Sequence, residues 1–262
     1  MAGAPALSAM ASLKSGAGLV ELLVPEPVVS IAAGFDPCVM TRGLPATPDG
    51  VFAPGACEQV AARLEASTAF AIGPGIGRST DIISLVSQLW RVASIPAVFD
   101  ADALWALGEL PSADLAIHAG PRVVTPHAGE MLRLVGRDPS GPASRDRDAV
   151  IDLARQFAAA TGAIVVLKGA GTLVVGNGRE SVNESGNPGM ATAGTGDVLT
   201  GVVAALLAQG MVPFDAARLA VWVHGAAGDA TAEDLGQVSM TARDVLDRLH
   251  VGFRRVETAR AT

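Results

Sequence analysis

The sequence predicts an α/β protein built around a mostly parallel central sheet, and three observations carry that expectation. Short apolar runs at 69–72, 97–99 and 123–124 each end in turn chemistry, Gly73-Pro74-Gly75, Asp100 and Thr125-Pro126 respectively. These runs alternate with stretches of helical spacing at 81–92 and 129–134, the pattern of β-α-β units wound around a parallel sheet. Thirty glycines, only seven phenylalanines, three tryptophans and no tyrosine favour close-packed layers joined by glycine turns over a sandwich of aromatic-rich strands. Half of the 262 residues are apolar, enough for one large core, so a single domain over 1–262 is expected.

The remaining elements follow from the same signals. Leu7, Met10, Ala11 and Leu13 at helical spacing predict a helix over 5–14 that Ser15-Gly16 stops, and a strand follows at 19–24. Three prolines and three glycines within 41–55 predict a long loop, and 57–66 has helical spacing. A loop at 137–144 leads to a helix over 145–161 and a buried strand at 164–167. A hairpin of 172–175 with 179–183 is expected next, turned at Gly176-Asn177-Gly178. The clearest helix begins after Gly196, where Val198, Leu199, Val202, Val203, Leu206 and Leu207 share a face and Gly210 with Pro213 ends it. There is no internal repeat.

A formal net charge of −7 and scattered arginines leave no electrostatic footprint for nucleic acid or an anionic membrane, so a small-molecule partner is expected. Cys38 and Cys57 share no metal-ligand or C-x-x-C spacing, which suits a reducing compartment. The first charged residue is Lys14, and no apolar run reaches the roughly 18 residues a spanning helix needs. A soluble, cytoplasmic protein is the expectation.

Function in such a fold lies at the carboxyl ends of the strands. The stretch 187–197, Asn-Pro-Gly-Met-Ala-Thr-Ala-Gly-Thr-Gly-Asp, opens onto the strongest helix. Small residues admit a ligand close to the backbone, and free N–H groups at a helix start attract phosphate oxygens. Asp197 would repel a bound phosphate, which points to a base taking a proton from an attacking hydroxyl, or to a holder of Mg²⁺. The competing assignment is a helix cap. A Walker A loop is excluded, because neither of the two lysines, Lys14 and Lys168, follows a G-x-x-x-x-G. Gly73-Pro74-Gly75-Ile76-Gly77 has the wrong spacing for a dinucleotide fingerprint and is either a ribose or phosphate cover or a tight turn. Lys168 precedes Gly169, Ala170, Gly171 and Thr172 at a strand end, as a phosphate or ribose contact or as a snorkelling surface lysine. His127 is a ligand contact or an inert loop histidine, with Glu130 as the cap of the next helix. Asp100 and Asp102 are either metal or hydroxyl contacts or a helix start. His118, His224 and His250 share no metal-ligand spacing, no metal site is assigned, and His224 is expected to be a satisfied core residue.

Taken together, Gly3-Ala4-Pro5, Ser15-Gly16-Ala17-Gly18-Leu19-Val20, the GPGIG turn, Asp100-Ala101-Asp102-Ala103-Leu104, Thr125-Pro126-His127-Ala128-Gly129-Glu130, Lys168-Gly169-Ala170-Gly171-Thr172 and Asn187 through Gly201 resemble the ADP-dependent NAD(P)H-hydrate dehydratases of the ribokinase-like superfamily. The TPHxGE and GTGDVLTG patterns are the specific ones. The resemblance implies a three-layer αβα sandwich acting on the hydrated, redox-dead form of NADH or NADPH, with ADP (or ATP) as co-substrate, Mg²⁺, and a homotetrameric assembly. It implies Asp197 as the base at the substrate hydroxyl, Ala4, Gly75 and His127 as further substrate contacts, and Lys168, Gly169, Ala170, Gly171, Thr172 and Gly196 as the nucleotide-binding residues. Family members carry a strand and a Gly-Gly-Ser-like turn before Gly-Ala-Pro, and Met1 stands where that turn would end. A sheet one strand short of the family's is therefore expected, with the contact at Ala4 the most exposed to the loss. Two rivals remain: a ribokinase-like kinase of a small hydroxylated substrate, and a nucleotide-binding relative that has lost catalysis.

Overall fold

The structure, a computed structural model, describes residues 1–261, apart from the side chains at 143 and 259–261. Helix α1 (Gly3–Lys14) precedes β1 (Glu21–Pro25), and α2 (Val29–Ala33) leads to β2 (Met40–Leu44), which pairs with β1 in parallel. There follow α3 (Ala56–Leu64), β3 (Phe70–Ile72), α4 (Thr80–Val92), β4 (Ala97–Phe99), α5 (Asp102–Gly108), β5 (Arg122–Val124), α6 (Ala128–Leu134), α7 (Arg147–Thr161) and β6 (Ile164–Leu167). The hairpin β7 (Leu173–Gly176) and β8 (Arg179–Val182) is followed by α8 (Thr195–Ala208), α9 (Pro213–Leu235), α10 (Ala242–Asp247) and α11 (Leu249–Ala261).

Strands β3 to β8 form one sheet in sequence order, parallel from β3 to β6 and antiparallel for the last two pairings. Its central strands are buried on both faces, as a parallel sheet covered by helices requires. Val98, Val123, Val166 and Val174 point into a core shared with α1, α8, α9 and α10. Their neighbours Phe99, Val124, Val165 and Leu167 point into a second core with α4, α5, α6 and α7. The period of two along each strand thus produces three layers, helices on a sheet on helices.

Strand β1 obeys the same alternation: Leu22 and Val24 enter the first core, and Leu23 packs against the second. It therefore lies in the sheet layer, yet among the described residues no ladder joins β1 to β3, and the strands divide into a pair and a set of six. One sequence expectation is corrected here. The predicted loop over 41–55 begins with β2, whose five residues each have a register partner in β1. Partner hydrogen bonds override the poor local propensity of a Gly-containing edge segment.

Helices α1 and α8 are joined by small residues. Ser8 Oγ donates to the Asp197 carbonyl at 2.8 Å and Ser12 Oγ to the Gly201 carbonyl at 3.0 Å. A Cβ at Gly201 would run into the Ser8 carbonyl and the Ala11 side chain. On the other face the buried Arg122 donates to the Trp90, Ala93, Ile95 and Pro121 carbonyls, satisfying acceptors at and beyond the end of α4. Burial pushes its guanidinium pKa down to about 10.

Because backbone rather than a flexible side chain blocks the added methyl, Gly201→Ala should destabilise the protein by about 1–3 kcal/mol, read as a lower denaturation midpoint in urea.

Candidate active site

The turns after β4, β5 and β6 and the first turn of α8 meet at one end of the sheet. Lys168, directly after β6, sends its Nζ to Asp100 Oδ1 at 2.8 Å, with Glu130 Oε2 at 3.6 Å. Its side chain is one-fifth exposed, so the snorkelling alternative does not hold. Burial alone would lower its pKa, but the charges of Asp100, Glu130 and Asp197 outweigh it and hold the ammonium above its ordinary value. Asp100 follows β4, is 1% exposed, and accepts a second hydrogen bond from Thr200 Oγ1 at 2.6 Å.

Asp197 lies in the first turn of α8 and is half-buried. The capping assignment fails: the N-cap is Gly194, and no side chain caps this helix. Gly194 has φ +94, and a Cβ there would lie 2.9 Å from both Ala242 Cβ and Leu7 Cδ1, so conformation and space both require glycine. A Cβ on Gly196 would sit 3.4 Å from Lys168 Nζ, which puts the free N–H groups of the helix start beside the ammonium. Burial, then the Asp100 charge, push the Asp197 carboxyl up to about 6; Lys168 opposes the shift and Glu130 adds to it. A helix N-terminus lowers a carboxyl pKa, and here desolvation and like charge win.

The loop ahead of α8 is braced from α9. Asp229 accepts from Gly186 N at 2.9 Å and Asn187 Nδ2 at 3.1 Å, and Asn187 Oδ1 accepts from Gly189 N at 3.0 Å. Thr195 Oγ1 lies 2.8 Å from the Met190 and Thr192 carbonyls. His224 of α9 is buried, as expected, but among the described residues its Nε2 has no hydrogen-bond partner. Burial, with Lys168 assisting against the Thr195 backbone, pushes its pKa down to about 4, so the imidazole is neutral at physiological pH.

His127 is the N-cap of α6. Its Nδ1 accepts from Glu130 N at 3.2 Å, while Glu130 Oε2 accepts from His127 N at 2.8 Å, a capping box. Glu130 thus caps a helix and also faces Lys168. Gly169, Ala170, Gly171 and Thr172 form the turn after Lys168: Thr172 Oγ1 donates to the Gly169 carbonyl at 2.9 Å, and Arg147 spans the Lys168 and Gly171 carbonyls. Ala4 opens α1 one turn before Ser8, which touches the Asp197 backbone, and the amino group of Met1 donates to the Gly75 carbonyl at 2.9 Å. The structure thereby places Met1 against Gly75 and the helix that carries Ala4 against α8, and joins His127 to Lys168 through Glu130. Asp102 is drawn away, to Gly77 N and Arg78.

Sequence reasoning missed Thr200, Asp229 and the joining role of Ser8. Only Thr200 carried a signal: three residues past Asp197 on the same helix, it must share that face. Among the described residues no group of three or more His, Cys, Asp or Glu side chains is arranged to hold a metal ion, and Asp100, the most buried carboxylate, already has both oxygens engaged.

A carboxyl raised from 3.8 to about 6 binds protons more readily in the folded state, so stability falls as pH rises through that window. Asp197→Asn should therefore stabilise the protein by about 1–2 kcal/mol at pH 7.5, after discounting for solvent screening at a partly exposed group. The gain should vanish below pH of about 4, as urea unfolding at the two pH values will show.

The profile of the NAD(P)H-hydrate dehydratase family matches residues 1–250. A bifunctional NAD(P)H-hydrate repair enzyme of Moorella thermoacetica is 43% identical over 258 residues, 98% of this chain and 48% of that protein. An ADP-dependent (S)-NAD(P)H-hydrate dehydratase of Neisseria meningitidis is 36% identical over 241 residues, 90% of this chain and 75% of that protein. The chain thus spans about half the length of several of the curated relatives it matches. The crystal structure of an ADP/ATP-dependent NAD(P)H-hydrate dehydratase from Bacillus subtilis, co-crystallized with ATP/Mg²⁺ and soaked with CoA, superposes with a TM-score of 0.79 at 26% identity, covering 97% of this chain and 87% of the other. With its ribokinase-like α/β fold and its matched motifs, this chain belongs to the NAD(P)H-hydrate dehydratase family.

Proposed function

We propose that this protein is an ADP-dependent (S)-NAD(P)H-hydrate dehydratase that returns hydrated NADH or NADPH to the reduced cofactor, with AMP and phosphate as the other products. The observation that carries the proposal is Asp197: a carboxyl raised to about 6, at a helix start suited to phosphate and beside the Lys168 ammonium. Asp197 takes the proton of the ring hydroxyl as that oxygen attacks the β-phosphorus of ADP, and AMP departs. The free N–H groups at Gly196 and the Lys168 ammonium stabilise charge on the transferring phosphoryl group. The turn of Lys168, Gly169, Ala170, Gly171 and Thr172 holds the AMP part. Ala4, Gly75 and His127 hold the hydrated cofactor. Phosphate then leaves the ring carbon, driven by the neighbouring ring nitrogen, and loss of a proton from the adjacent carbon restores the dihydronicotinamide.

Among the described residues no side-chain cluster builds a magnesium cage, so Mg²⁺ enters this proposal as the counter-ion of the nucleotide phosphates, where it would offset their charge. A cytoplasmic homotetramer belongs to the same proposal. Among the described residues no helix is long and apolar enough to cross a membrane. Exposed apolar side chains such as Val182, Trp222 and Val238 supply area for subunit contact.

Incubation with hydrated NADH, ADP and Mg²⁺ should restore the absorbance of reduced nicotinamide. Asp197→Asn should lower kcat by roughly 10²–10⁴-fold, and the wild-type rate should fall as pH drops through about 6, where the base becomes protonated. No recovery of the reduced nicotinamide, together with phosphate transfer to a simple alcohol, would identify a kinase instead.

A further inference from the structure

We propose that Asp100 is the positioning residue of this site: anchored by Thr200, it fixes the Lys168 ammonium beside Gly196 and keeps a second negative charge next to Asp197. The proposal rests on the dehydratase reaction above and adds a residue to it that acts through Lys168 and Asp197.

Three geometric facts support this. Both oxygens of the fully buried Asp100 carboxylate are committed, one to Lys168 Nζ at 2.8 Å and the other to Thr200 Oγ1 at 2.6 Å. A carboxylate is kept in such a place only when it is paired and hydrogen-bonded. Its side chain does not serve the helix that follows: the N-cap of α5 is Ala101, at φ 49, and no side chain caps it. The chain turns there so that Asp102 faces Gly77 and Arg78 while Asp100 faces inward. Thr200, one turn along α8 from Asp197, brings its hydroxyl to the same carboxylate. Asp100 therefore ties together the end of β4, the turn after β6 and the first turns of α8, the elements that carry Lys168, Gly196 and Asp197.

The charges acting on Asp197 are few. From the strand ends and α6 they are Asp100, Lys168 and Glu130. Among the ionisable groups on the helices packed against α8, His224 of α9 is neutral, Asp229 of α9 is bonded to Gly186 and Asn187, Asp244 of α10 is bonded to Thr241, and Lys14 of α1 pairs with Asp247. Neutralising Asp100 removes one repelling charge from Asp197 and frees Lys168 to approach it. Both changes lower the affinity of Asp197 for its proton.

The test is Asp100→Asn in the full chain. A ¹³C titration of the Asp197 carboxyl, without substrate, should place its midpoint at least one pH unit below that of the wild type, and the acid limb of kcat/KM should move with it. The KM for ADP should rise roughly fivefold or more, the effect of losing one buried polar contact to a charged group. A slower enzyme with an unmoved Asp197 midpoint would overturn the proposal, since a merely structural defect leaves that titration in place. If the variant does not fold, Thr200→Val carries the test. It should raise the KM for ADP by a similar factor, with Thr200→Ser restoring it, and an unchanged KM overturns the proposal. A wild-type protein that fails to turn over hydrated cofactor would sink the functional assignment while leaving the carboxyl titration decisive here.

Discussion

Lys168 is the charge on which the site depends. Three carboxylates, Asp100, Glu130 and Asp197, surround one ammonium, so with every group ionised the cluster carries a formal charge of −2. At an effective dielectric near 20, two unit charges about 4 Å apart interact by about 4 kcal/mol. The ammonium supplies the attraction that offsets the mutual repulsion of Asp100 and Asp197. Because Asp100 holds the shorter contact and a hydroxyl donor besides, the cost of crowding falls on Asp197. Its raised proton affinity comes first from burial, and the unequal competition for one cation adds to it.

That competition is imposed by the fold. A parallel sheet covered on both faces brings the turns after β4, β5 and β6 to one edge, and each contributes one member: Asp100, the His127–Glu130 capping box, and Lys168. Helix α8 must then arrive with its first turn over those ends, and its position is set by close backbone approach. Ser8 and Ser12 bond to carbonyls of α8, and Gly201 leaves no room for a side chain between the helices. Asp229 from α9 fixes the loop that feeds α8. Small residues in α1 and α8 let the two backbones approach closely, which sets the first turn of α8 over the strand ends.

Much of this was legible in the sequence. The three strands ending in Asp100, Thr125-Pro126 and Lys168 were readable because each is a short apolar run closed by a turn residue. The start of α8 was readable because a run of small residues meets a long apolar helix, which the structure buries nearly all round. Strand β2 was not, since its residues alternate poorly and become a strand only by pairing with β1. Burial of Asp100 was not readable either. A D-x-D at a strand end fits a helix start as well as a site, and only the turn at Ala101 decides which aspartate faces inward. Sequence spacing also cannot show that His224, on an apolar face, keeps a ring nitrogen without a partner among the described residues.

In the proposed reaction these electrostatics suit the chemistry asked of Asp197. With a pKa of about 6, the carboxyl is roughly nine-tenths ionised at pH 7, yet it holds a proton far more firmly than an ordinary aspartate. An aspartate left near 3.8 would be fully ionised but a weaker base, and one pushed above 8 would rarely be free to act. The same competition discourages a tight dedicated metal site, because the carboxylate best placed to bind a cation is already bound to Lys168 and Thr200. Under the proposed reaction a polyphosphate at this carboxylate-lined site relies on the helix N-terminus, on the Lys168 ammonium, and on whatever cation the nucleotide carries with it. A hydroxyl on a carbon beside a ring nitrogen needs little more, since once phosphorylated it leaves with the nitrogen's own electrons. The difference between a kinase and a dehydratase at such a site therefore lies in the bond next to the accepted hydroxyl, and the protein's task in both is to hold that hydroxyl against Asp197.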